Sequence, residues 1–100
     1  MINFDNFQRS LDESQPKYTW PALLKALWWD AKGDWDRAHR IARDDPTPDG
    51  ARVHAYLHRK EGDLWNADYW YQRAGVARPE GTSDDEWKEL TGYFGKIIPE

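Results

Sequence analysis

A chain of 100 residues with 32% charged side chains, a formal net charge of −4 and a mean hydropathy of −1.02 would stay unfolded if aromatics were scarce. Aromatics instead make up 15%, seven of them tryptophan, enough buried area for one domain over residues 1–100. The acidic balance leaves no footprint for nucleic acid or anionic lipid, and the lack of cysteine excludes disulfides, thiolate metal sites and thiol nucleophiles.

The first residues, MINFDNFQRSLDE, have no basic start leading into an apolar run, and no stretch is apolar enough to span a bilayer, so the chain reads as cytoplasmic and unexported. Asn3 can cap a helix over residues 3–13, with Ile2 and Phe7 at staple spacing and Phe4, Phe7 and Leu11 as its apolar stripe. SQPKYTWP is a connector, and Pro21 suits the first turn of the next helix. In ALLKALWWDAK, Leu24, Leu27, Trp28 and Ala31 recur at helical spacing. Gly33 ends this helix and Asp34 caps the one after it, which folds the two back on each other.

The third helix, DWDRAHRIAR, presents Trp35, Ala38, Ile41 and Ala42, and the acidic loop after it supplies Thr47 as a cap with Pro48 at the first helical position. The fourth helix runs through ARVHAYLHRKE to Gly62, where Gly62-Asp63 repeats the earlier punctuation. The fifth, LWNADYWYQRAG, turns Ala67, Trp70, Tyr71 and Ala74 to one side and carries Trp65 and Tyr69 as a second stripe. Ser83 and Glu86 have capping-box spacing for a last helix through Trp87, Leu90 and Phe94. With no strict alternation anywhere, the expectation is an all-α fold of about six helices.

Gly62-Asp63 lies 29 residues after Gly33-Asp34, an offset that also aligns Ala55 with Ala26, Ala67 with Ala38 and Leu64 with Trp35. Ala55, Gly62-Asp63, Ala67-x3-Tyr71 and Pro79 follow the order of marks in the tetratricopeptide repeat, and Ala26, Trp29, Gly33, Asp34 and Ala38 follow it in the preceding hairpin. Residues 20–80 therefore resemble that family, with antiparallel hairpins at roughly 20–43 and 48–76 and terminal helices as caps. The pattern departs from the family in its spacing, 29 rather than about 34 residues, in the first repeat's lack of a proline in register and its Ala42 at an aromatic position, and in having only two repeats.

The resemblance implies a protein- or peptide-interaction module without catalytic chemistry or a cofactor of its own. Arg52, Tyr56 and Arg59 would line its concave groove and hold an acidic peptide, and they align with Leu23, Leu27 and Asp30 of the first hairpin. For Trp65 and Tyr69 the expectation is cover by the terminal helices; left open, they would meet a protein partner or a second copy in a homodimer.

The rival reading is a small metal-binding protein or hydrolase. His54 and His58 stand at i and i+4, one above the other, and can share a divalent transition-metal ion with His39 or Glu61 as third ligand. The expected arrangement without a metal is two half-buried imidazoles bonded to carboxylates or tyrosine hydroxyls.

Overall fold

The structure, a computed structural model, describes residues 3–96, so Ile2 of the expected staple lies outside the described residues. Within them the chain forms six helices and no strand: α1 Phe4–Ser10, α2 Ala22–Ala31, α3 Trp35–Arg43, α4 Pro48–Glu61, α5 Leu64–Ala74 and α6 Ser83–Gly95. No helix among them is long and apolar enough to cross a membrane.

Four of the helix starts read from the sequence are capped as expected. Asn3, Asp34, Thr47 and Asp63 each accept a hydrogen bond from the backbone N–H three residues on, and Pro48 occupies the first turn of α4. Gly62 closes α4 at φ +91°, a left-handed conformation that a side chain resists, and the chain turns straight into α5. The hairpins α2/α3 and α4/α5 are the most extensively packed pairs, and α4 lies against α3 to join them.

Three local expectations shift. Pro21 stands just before α2 rather than inside its first turn: its backbone is extended and its carbonyl accepts from Lys25. Ala31 is exposed, whereas Leu23, Ala26 and Asp30 are buried, because neighbours cover most of the circumference of α2. The capping box of α6 is Thr82 with Asp85, one residue earlier than Ser83 with Glu86. Glu86 is withdrawn from the helix start by a stronger demand: its Oε1 accepts from Tyr71 at 2.6 Å and from Arg59 at 3.1 Å inside the protein.

Glu86 sits where α6 returns along the face formed by the first helices of the two hairpins. There α6 runs against α1, α2 and α4, adding Leu90 and Phe94 to the core of Leu24, Leu27, Trp28, Val53, Tyr56 and Leu57. The Trp87 indole donates to the Leu27 carbonyl at 3.1 Å and meets Phe4 edge-on and Phe7 at a tilt. At the C-terminal end of α1, the Trp28 indole donates to the Ser10 hydroxyl at 3.1 Å. Both terminal helices are thereby fastened to α2 through indole N–H groups, which bury apolar area and satisfy a donor together.

The Arg59 side chain is 12% exposed and the Glu86 side chain 0%, so the pair exchanges solvation for contact, whereas Glu89, which meets Arg52 at 3.2 Å, is 63% exposed. Breaking the buried pair strands a carboxylate. Arg59→Met is expected to cost on the order of 3 kcal/mol of unfolding free energy in urea titrations. Arg52→Met should cost less than about 1 kcal/mol. Equal losses would contradict this placement of the buried charge.

Candidate functional site

Two regions outside the main core concentrate polar and aromatic chemistry: an imidazole cluster between α3 and α4, and the outer side of α5.

The association of His39, His54 and His58 is set by helix register. His54 and His58 share one face of α4, and α3 brings His39 opposite them, with the Trp35 indole one turn earlier donating to the Leu57 carbonyl at 2.9 Å to pin the two helices together. One ring nitrogen of each histidine lies within 4.8 Å of the others. The Nε2 atoms of His39 and His54 are 2.9 Å apart, so one ring donates and the other accepts. His58 points its Nδ1 at the Glu61 carboxylate, 2.7 Å away, which leaves its Nε2 free of that contact.

Indoles clamp the group from both sides. Trp35 stacks on His39 with centroids 4.7 Å apart and planes 11° from parallel, and Trp70 of α5 stacks on His54 at 4.0 Å and 21°. The expected partners of His54, a carboxylate or tyrosine hydroxyl, are replaced by another imidazole. For His58 the carboxylate expectation holds, on its own helix rather than between helices.

Burial dominates the acid–base behaviour of the cluster. His54 is 4% exposed, and desolvation, followed by the proximity of His39, His58 and Arg43, lowers its pKa to about 4. His39 is lowered too, first by desolvation and then by His58 and Arg43, against the opposing pull of Glu61 and Asp36. At neutral pH these two rings are uncharged, with nitrogen lone pairs available. Imidazole nitrogens are donors suited to first-row transition ions rather than to magnesium or calcium. His58 also stands with Glu61 and Asp63 in a second, more exposed group whose ligand atoms are equally close.

The residues expected to hold an acidic peptide have their polar ends engaged within the chain. Tyr56 donates to Asp30 at 2.6 Å, with Lys60 on the other carboxylate oxygen at 3.0 Å; Arg52 meets Glu89, and Arg59 meets Glu86 and the Gly81 carbonyl. An acidic helix does lie along this face, and it is α6.

Because α6 takes that position, the terminal helices do not supply the expected cover over Trp65 and Tyr69 among the described residues. Trp65 is 79% exposed, flanked by Leu64 and Tyr69, 46% and 42% exposed. Tyr69 leans on Trp70, and the Arg73 guanidinium lies over both rings at 5.7 and 5.2 Å. The three histidines, Trp65 and Tyr69 are recognisable in the sequence as candidates, whereas Trp35 and Trp70 read there only as residues of helix faces. Trp35, four residues before His39, carried a spacing signal; Trp70, reaching His54 from another helix, carried none. Comparison with known proteins yields no match to a family model, a curated protein or a solved structure.

The depressed pKa of His54 fixes a direction for stability against pH. The unfolded chain, with His54 near its ordinary 6.5, takes up a proton before the folded chain does, so stability is fully present above pH 6.5 and is lost as pH falls toward 4. The loss attributable to His54 is on the order of 3 kcal/mol, and His39 adds to it in the same direction. Urea titrations between pH 7 and 4 should show this fall, reduced in His54→Gln; an unchanged slope in the variant would assign the acid sensitivity elsewhere.

Proposed function

We propose that this protein is a TPR-like helical interaction module, without catalytic chemistry of its own, that binds another polypeptide through the outer side of α5. The observation that carries this reading is the exposure of Trp65 on a helix whose other face is fully used against α4. An indole displayed in water between Leu64 and Tyr69 supplies the kind of side chain that anchors protein interfaces, with a large contact area and few rotatable bonds to immobilise.

Chemistry around the patch narrows the partner. Arg73 is held over the rings of Tyr69 and Trp70, so its guanidinium is positioned beside the apolar surface rather than free to sweep solvent. A segment offering an apolar side chain to Trp65 and a carboxylate to Arg73 satisfies both, which retains the acidic peptide of the sequence reading and moves it from the groove to α5. The groove residues Arg52 and Arg59 then act as the seat of α6, and Tyr56 is held by Asp30 of α2.

A photo-crosslinking phenylalanine analogue placed at position 65 in the cells of origin tests this, with Tyr18, 88% exposed in the connector, as the control position. The expected result is a discrete adduct with another protein from position 65, absent from position 18 and weakened about ten-fold by Arg73→Glu. Adducts shared by both positions would overturn the reading. An adduct formed solely with a second copy of the chain would replace it by a homodimer interface.

A further inference from the structure

We propose that His39, His54 and His58 form a binding site for one divalent first-row transition-metal ion, with zinc as the reference ion. This goes beyond the interaction reading and does not depend on it.

The donor geometry is near what such an ion needs. Zinc held by imidazoles at about 2.0–2.1 Å in a tetrahedral arrangement separates its ligand nitrogens by about 3.3 Å. His39 and His54 already stand 2.9 Å apart through Nε2, and all three rings offer a nitrogen within 4.8 Å. An opening of the first pair by about half an ångström and a closing toward His58 complete the triangle. The ring planes suit a shared centre: His39 meets His54 at 76° and His58 at 69°, whereas His54 and His58 are 30° apart, as expected for two ligands one helical turn apart on α4.

The surroundings position these rings as ligands. Glu61 accepts from Nδ1 of His58, the contact that fixes the tautomer with its lone pair on Nε2 and strengthens that nitrogen as a donor. Trp35 and Trp70 hold the other two rings by stacking, and the Trp35 bond to the Leu57 carbonyl keeps α3 and α4 at the distance the three ligands require. His39 is only partly buried and provides the route from solvent. Arg43 is the opposing charge; Glu61 and Asp36 offset it. Three imidazoles leave a fourth position for water or an exogenous donor, and the set favours zinc, copper, nickel or cobalt over magnesium or calcium.

The competing group of His58, Glu61 and Asp63 shares one histidine, so the test must separate the two. The full chain, purified without a histidine tag, is titrated with zinc chloride by calorimetry, with cobalt in place of zinc for its visible absorption and magnesium as a negative control. The proposal expects one ion per chain, four-coordinate cobalt bands, and simultaneous shifts of the His39, His54 and His58 ring signals in NMR spectra. His39→Gln, at a partly exposed position, should weaken binding about ten-fold or more, and Glu61→Gln, which leaves all three ligands in place, should weaken it less. Asp63→Asn keeps an α5 cap and should leave affinity unchanged. Absence of stoichiometric zinc binding to the folded chain would overturn the proposal. So would binding that survives His39→Gln while failing in Asp63→Asn, which would move the ion to the competing group.

Discussion

A carboxylate that is almost completely removed from water needs partners, and Glu86 draws them from two helices at once: Arg59 from α4 and the Tyr71 hydroxyl from α5. Burial and the hydrogen bond to Glu86 push the Tyr71 phenol above its ordinary range, so it keeps its proton and donates to Glu86 near neutrality. This three-way contact holds α6 against the first helices of the hairpins. Everything distinctive about the surface follows from that placement. The face lined by Arg52, Tyr56 and Arg59 is filled, and the outer side of α5 stays open.

The imidazole cluster obeys a different balance. Burying His54 beneath Trp70 makes its protonation costly, and placing His39 and His58 beside it adds repulsion between any two charged rings. Hydrophobic stacking and the Trp35 bond to α4 hold the rings together in spite of that cost. In this cluster His39 and His54 are uncharged near neutrality, and one nitrogen of each of the three rings lies within 4.8 Å of the others. The same burial that disfavours a proton on His54 leaves its ring a neutral nitrogen donor.

Local elements were legible because their signals are local. Asn3, Asp34, Thr47 and Asp63 are caps whatever the rest of the chain does, and Gly62 marks a turn that only its conformation permits. The all-α class and the helix positions follow from these signals. The destination of α6 was not legible, because Glu86 satisfies capping-box spacing as readily as the true pair Thr82 and Asp85, and its partners lie 15 and 27 residues away in sequence. The exposure of Trp65 depended on that same long-range choice. His54 and His58 could be paired from spacing alone; the arrival of His39 depended on how α3 crosses α4, and the stacking of Trp70 on His54 on how α5 returns.

The bond from Trp87 to the Leu27 carbonyl joins residues 60 apart, whereas each hairpin closes through a short turn. Loop-closure entropy therefore favours the hairpins as the first structures to form, and α6 as a late arrival that closes the largest loop. Opening reverses the order: loss of α6 exposes Glu86, Leu90, Phe94 and the core beneath them while the turns at Gly33 and Gly62 keep their helices paired. A chain caught in that state displays an acidic aromatic helix and the basic face that fits it, both able to engage the complementary half of another copy. Exchange of α6 between two chains is thus the mode of misassembly that this topology makes available.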